Sequence, residues 1–391
     1  MDTSQPLPLL GGLSPQQFMR RHWQKKPLLV RQAIPHFEPL LSAAELFALA
    51  GREEVESRLV TQEAGRSPRS QVRWQLHHGP FKRRSLPPLK QPGWTLLVQG
   101  VDLHHAGAHE LLQRFRFLPD ARLDDLMISI ASEGGGVGPH FDSYDVFLLQ
   151  ASGSRRWRIS AQTDLSLREG LPLKILRRFS AQQEFVLHAG DMLYLPPRYA
   201  HDGVAVGRQD AACMTYSIGF RAPAQHELAS AMLTRLAENM DEAAAGVTAR
   251  LYRDPHQPAC DHAAALPAGM IDFARHAVER ALRDPKALVG ALGQYLSEPK
   301  PGVWFEPGDV AWRPGCGLRL HARTRMLYEG CWLFINGEKF VAGGVDARLL
   351  RVLADDRFLE GDAVRRLSPQ ARAIVLQWLA DGWLEVQAIS S

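Results

Sequence analysis

Apolar and polar positions change their period three times along the chain. Near the start, two runs carry helix signals. Ser14-Pro15-Gln16-Gln17 and Ser42-Ala43-Ala44-Glu45 each set a serine three residues before Gln or Glu, the reciprocal pattern of a capping box. Pro15 suits a first helical turn, where its missing N–H is not needed. The first helix carries Phe18 and Trp23 into Gln24-Lys25-Lys26-Pro27, and Leu28-Leu29-Val30 follows as a short buried strand. From 56 to 220 the period shortens towards two. Trp74, Trp94 and Thr95-Leu96-Leu97-Val98 indicate sheet, and 108–117 indicates a helix. Strands are then expected over 124–130, 144–150, 155–159, 185–187, 192–195 and 213–220. Ser152-Gly153 and Gly190-Asp191 supply turns, and Pro196-Pro197 a stop. Many short strands divided by turns predict a jelly roll or barrel, the mainly β core of an α+β chain.

After Pro223 the period lengthens. Residues 224–250 and 266–296 place Leu228, Met232, Leu233, Leu236 and their like at helical spacing. A further change comes at Pro299-Lys300-Pro301-Gly302. Beyond it, strands at 317–321, 325–328 and 331–335 lead to Asn336-Gly337, a hairpin turn signal. Helices at 345–354 and 369–380 and a strand at 383–386 complete a small domain of winged-helix type. The expected organisation is a β domain over 1–222, a helical segment over 223–299 and a winged-helix-like domain over 300–391.

Composition narrows the class. The 391 residues are 45% hydrophobic and 23% charged, as in soluble globular proteins. No run approaches 18 apolar residues and no basic, apolar leader opens the chain, so neither a membrane nor secretion is expected. Cys213, Cys260, Cys316 and Cys331 lie far apart, which argues against a zinc ribbon or a disulfide framework and fits a cytoplasmic location. The net charge of +4 permits a nucleic-acid partner without singling one out, and Lys82-Arg83-Arg84 reads as a solvated loop.

Chemistry enters at Gly134-Gly135-Gly136 and Pro139-His140-Phe141-Asp142. In an extended segment His140 and Asp142 project to one side. With His201 they would set two imidazoles and a carboxylate on one side of a metal, the facial triad of non-haem Fe(II) oxygenases. An H-x-D alone is as readily a satisfied polar pair in a loop. Arg155 changes the balance. Alternation puts it on one strand face with Trp157 and Ile159, where its planar fork suits a buried carboxylate. Met127 and Ser129 share one side of their strand, with Leu126, Ile128 and Ile130 on the other. Tyr144 and Asp145, just past the metal candidates, are expected where a substrate side chain enters, Asp145 as an acceptor for a cationic one. Asp191 reads as a turn residue, and His77, His78, His104, His105 and His188 as loop or surface residues.

The runs P-H-F-D-S-Y-D-V-F-L-L-Q, S-R-R-W-R and G-D-M-L-Y-L-P-P-R-Y-A-H resemble the JmjC-type oxygenases, within them the bacterial ribosomal oxygenase branch. F-M-R-R-H-W-Q-K-K-P-L-L-V and the C-terminal tail resemble it too. The resemblance implies a cupin-like double-stranded β-helix, a helical dimerisation segment and a C-terminal winged helix. It implies Fe(II) and 2-oxoglutarate as cofactors, with His140, Asp142 and His201 as iron ligands, Arg155 on the distal carboxylate, and Met127 on a strand of that pocket. It further implies hydroxylation at C3 of an arginine in the sixteenth protein of the large ribosomal subunit, by a homodimer. Other readings stand beside it: a histidine or methyl-lysine target, or a non-catalytic metal-binding cupin that meets ribosomes or nucleic acid through its tail. Arg198 departs from the broader cupin pattern, which has glycine there.

Overall fold

A computed structural model describes residues 2–63, 72–207, 212–244, 250–259, 262, 264–308 and 312–387; Cys260 lies outside them. The chain divides into two compact units, Met1–Ala222 and Pro223–Ser391.

In the first unit the two capping boxes form as expected. They open helices α1 (Pro15–Arg21) and α2 (Ala43–Leu49), each serine accepting from the backbone of the residue three further on. Strand β1 (Leu28–Val30) lies between them. Strands β2 (Ser57–Glu63), β3 (Arg73–His78) and β4 (Trp94–Val98) are followed by α3 (Ala106–Gln113), which ends short of the expected 117 as Phe115 and Leu118 turn into the core. Then come β5 (Leu123–Ala131), β6 (Asp145–Ser152), β7 (Ser154–Ser160), β8 (Gln183–Leu187), β9 (Met192–Leu195), β10 (Ala200–Val206) and β11 (Cys213–Phe220). An eight-stranded sheet has the order β1-β9-β6-β11-β5-β4-β2-β3, and a three-stranded sheet the order β10-β7-β8. Every strand pairing is antiparallel. The strand β10 is not marked by apolar pattern, because Asp202 and Gly203 dilute it.

Period two sorts the large sheet into two faces. Leu126, Ile128 and Ile130 of β5, Phe147 and Leu149 of β6, and Tyr216, Ile218 and Phe220 of β11 join Phe18, Trp23 and Phe115 in one core. At its centre Phe147 stands 4.9 Å from Tyr194 and 5.0 Å from Phe115 between ring centroids, distances at which aromatic pairs add to burial. The alternate residues Val146 and Leu148 face the small sheet and pack with Trp157, Ile159 and Leu187.

The glycine run closes one corner. Gly134 N–H donates to Ala205 O, and Ala205 N–H to Gly135 O, both at 2.9 Å. A Cβ on Gly135 would stand 2.2 Å from Trp94 O, and one on Gly136 2.5 Å from Gly203 O, so only glycine permits this approach.

The second unit opens with α4 (Gln225–Ala244), α5 (Ala268–Arg283) and α6 (Pro285–Ser297). The helical spacing over 266–296 is carried by two helices that part at Asp284-Pro285, where Asp284 caps α6 and Pro285 takes its first position. Strands β12 (Gly317–Leu320), β13 (Met326–Glu329), β14 (Trp332–Ile335) and β15 (Glu338–Val341) lead into α7 (Gly344–Asp356). Strand β16 (Phe358–Leu359), helices α8 (Gly361–Arg365) and α9 (Pro369–Ala380) and strand β17 (Leu384–Gln387) finish it. Asn336 and Gly337 both have positive φ, as the β14–β15 hairpin turn requires. Leu333, Leu350, Leu353, Val375 and Trp378 form the core of this winged part.

Candidate metal centre

The small sheet and the segment after the glycine run bring His140, Asp142 and His201 together. His140 and His201 form an antiparallel bridge: His140 N–H donates to His201 O at 2.9 Å, and His201 N–H to His140 O at 2.8 Å. Their rings stand 4.2 Å apart. One potential ligand atom from each of the three residues lies within 4.8 Å of the others, and among the described residues this is the one such cluster of His, Cys, Asp or Glu.

Both imidazoles are oriented from behind. The Nδ1 of His140 is 2.8 Å from Gly138 O, and that of His201 is 2.8 Å from Tyr199 O. Carbonyls only accept, so each Nδ1 carries the proton and each Nε2 keeps its lone pair for a metal. His201 Nε2 lies 3.5 Å from Asp142 Oδ2. Burial, with the neighbouring His140, pushes the His201 pKa down to about 4, so the ring is neutral at ordinary pH. Two neutral nitrogens and one carboxylate suit a divalent first-row metal. Arg198 holds the loop beyond: its N–H donates to Asp142 O at 2.7 Å, with its backbone at φ 64°.

Inside the same space lies a second feature. Arg155 is 4% exposed, yet its Nε and Nη2 have no hydrogen-bond partner. Leaving buried donors unpaired costs about 1–3 kcal/mol, more for a charged group. The chain therefore holds a buried cation whose partner it does not supply, which fits an anionic ligand such as a carboxylate. Met127 and Ser129 face inward on β5, where they pair with Ser217 and Thr215 of β11.

The structure separates Tyr144 from Asp145. Tyr144 packs with the inward cluster. Burial pushes its phenol pKa up, and the charges of Asp142, Asp125 and Asp124 push it further, so the group stays protonated. Asp145 lies on the opposite face of β6, fully buried and away from the triad. Its Oδ1 accepts from Tyr194 Oη at 2.7 Å, and its Oδ2 accepts from Gln24 Nε2 and Arg122 Nη2 at 3.0 Å each. The expectation of Asp145 as a substrate acceptor is thus corrected: one step along a strand reverses the face. Asp125, two residues before Met127, carries no signal in the sequence; its Oδ2 accepts from Gln99 Nε2 and Gly100 N. It is buried, shares that inward face and is among the carboxylates acting on Tyr144.

Of the remaining candidates, Asp191 holds a turn by accepting from Gln32 N, His188 N and Arg31 Nη1. His105 caps α3, its Nδ1 accepting from Ala108 N.

Comparison with known proteins agrees with this geometry. Residues 110–228 match the JmjC domain family, and residues 280–385 the ROXA-like winged helix. The ribosomal protein uL16 3-hydroxylase of Escherichia coli is 35% identical over 334 residues, covering 82% of this chain and 84% of that protein. A probable ribosomal oxygenase of Haemophilus influenzae is 35% identical over 54% of this chain and half of its own length. The structure of the Escherichia coli ribosomal oxygenase YcfD with cobalt and 2-oxoglutarate superposes with a TM-score of 0.78. It is 31% identical, and the match covers 96% of this chain and 99% of the other.

Proposed function

The chain belongs to the JmjC ribosomal oxygenases, and on that premise we infer that it is an Fe(II)- and 2-oxoglutarate-dependent hydroxylase of ribosomal protein uL16, acting at C3 of an arginine. The observation that carries this reading is Arg155, a buried cation without a partner in the same interior as the triad.

In this reading His140 Nε2, His201 Nε2 and the Asp142 carboxylate would hold the iron. Arg155 receives the distal carboxylate of 2-oxoglutarate as a charge-assisted fork. When bound, the metal and the oxo acid supply the oxidising chemistry that sets one oxygen atom of dioxygen on the substrate carbon. The chain's own work is positioning. The carbonyls of Gly138 and Tyr199 fix the two rings, which keeps the ligands from rotating away. Met127, inward on β5, lines the 2-oxoglutarate side of the interior, and Tyr144 with Asp125 beside it meets the substrate arginine. The carboxylate opposes its charge, and the protonated phenol ring offers a face on which a guanidinium can stack.

The same reading places the enzyme in the cytoplasm with the ribosome. No helix among the described residues is long and apolar enough to cross a membrane. It also makes the protein a homodimer, supported by α5: Met270, Ile271, Val278 and Leu282 are all exposed on it, and it buries no side chain of its own. A nucleic-acid role for the winged helix is not favoured. The exposed positions of α9 are Pro369, Gln370, Ala373 and Gln377, none of them cationic, and Arg372 Nη2 bonds back to Leu367 O. Docking of substrate or partner is the reading we take for that domain.

The deciding experiment is mass spectrometry of ribosomal proteins, taken from cells lacking the enzyme, after incubation with it, Fe(II), 2-oxoglutarate and oxygen. A gain of one oxygen on a uL16 arginine, absent with Asp142→Ala, is expected. Oxo-acid turnover with no modified uL16 would discard the target.

A further inference from the structure

The register of the small sheet sets three inward rungs in line: Ile159 opposite His201, Trp157 opposite Gly203, and Arg155 opposite Ala205. Successive rungs on one face are about 7 Å apart. A metal-ligand candidate stands on the first rung and the buried cation on the third. The middle rung carries a single side chain, because its other position is a glycine.

That side chain fills both places. A Cβ on Gly203 would stand 2.5 Å from the six-membered ring of Trp157, so the indole lies over the glycine and occupies the width of the rung. Its centroid is 5.8 Å from that of the His201 ring, and the Arg155 guanidinium carbon lies 5.8 Å from the indole centroid. Trp157 is 5% exposed, and its Nε1–H is buried without an acceptor. On the large sheet the inward residues Ser129 and Thr215 are both small.

We propose that Trp157 sets the chain length of the oxo acid: it braces the Arg155 guanidinium at a fixed height above the metal and lines the carbon chain between them, so that a five-carbon 2-oxo diacid is accepted and a six-carbon one refused. This rests on the oxygenase reading above. A longer acid would need the guanidinium to withdraw, and the indole beside it holds it forward. The ring also keeps water from the carbon chain, and its N–H is a donor available to a carboxylate oxygen. Trp157 is in this sense a positioning residue, acting through Arg155 and through shape.

The test uses the full-length protein loaded with Mn(II), which allows binding to be measured without turnover. Calorimetry gives the affinities for 2-oxoglutarate and for 2-oxoadipate, one methylene longer. Trp157→Leu is expected to weaken 2-oxoglutarate about tenfold and to lower the preference for the shorter acid by a similar factor. Trp157→Phe keeps a ring and should restore most of the preference. Gly203→Ala, which drives a methyl group into the indole, should mimic the leucine variant. A preference ratio unchanged within about twofold in Trp157→Leu, with Mn(II) binding intact, overturns the proposal; if Trp157→Leu does not fold, Gly203→Ala takes its place in that comparison. Failure of the unaltered, Mn(II)-loaded protein to bind 2-oxoglutarate at all would instead remove the oxygenase reading, and this proposal with it.

Discussion

The two faces of the eight-stranded sheet are made by the same strands and do opposite work. One face buries Phe147, Tyr194, Tyr216 and Phe220 against the N-terminal helices, and on it the buried Asp145 accepts hydrogen bonds from Tyr194, Gln24 and Arg122. The other face turns Asp125, Met127, Ser129 and Thr215 inward, towards a small sheet that carries a cation with two unpaired nitrogens. Stability is concentrated on the first face. The second leaves the Arg155 guanidinium incompletely satisfied by the chain, which is a cost in the free protein and a means of recognition for a ligand. A single residue step along any strand moves a side chain from one role to the other.

That contrast can be broken or sharpened by substitution. The largest expected effect on chemistry is from Asp142→Ala, which should abolish uL16 hydroxylation by mass spectrometry while leaving the unfolding midpoint almost unmoved. Hydroxylation that persisted would end the triad assignment. On the opposite face, Phe147→Ala should cost about 3–5 kcal/mol of stability, read from denaturant unfolding, with the affinity for 2-oxoglutarate retained by the folded fraction. Asp145→Ala leaves Arg122 with its buried partner removed and should cost about 3 kcal/mol without changing the KM for substrate; a raised KM with normal stability would return Asp145 to the site. Arg155→Met should act in reverse. It removes unpaired buried donors, so the ligand-free protein should gain about 1–3 kcal/mol while losing 2-oxoglutarate binding in calorimetry, a trade of stability against function.

The smallest effect concerns Asp191, at the rim of the sheet. Burial opposes its charge, but the N–H groups of Gln32 and His188 and the Arg31 guanidinium outweigh it and hold the carboxyl below its ordinary range. A depressed carboxyl stabilises the fold above its unfolded value, and the contribution is lost as pH falls through the folded one. Unfolding midpoints followed from about pH 5 to about pH 2.5 should therefore fall less steeply in Asp191→Asn than in the unaltered protein. Parallel curves would show that Asp191 contributes nothing on the acid side.

Much of this was legible in the chain. The capping boxes at Ser14 and Ser42 depend on neighbours three residues away, and so they can be read locally. The alternation from Leu126 to Ile130, and the sharing of a face by Arg155 and Trp157, follow from period two alone. Closeness in sequence to Asp142 points Asp145 to the site, whereas that same period turns it away. Its partners could not be read at all: Gln24 is 121 residues away, and Tyr194 is 49. The bridge between His140 and His201 is likewise a product of tertiary pairing, with no local sign of it beyond the glycines that allow it.

That bridge has a consequence for how the centre would be loaded. The two histidines are joined by their own main chains and steadied by the carbonyls of Gly138 and Tyr199, bonds that belong to the chain itself. The ion is then an exchangeable tool and not a rivet. A chelator should strip it from the intact protein and leave the circular-dichroism spectrum unchanged, and resupply should restore the centre at the speed of diffusion and ligand exchange, with no refolding in between.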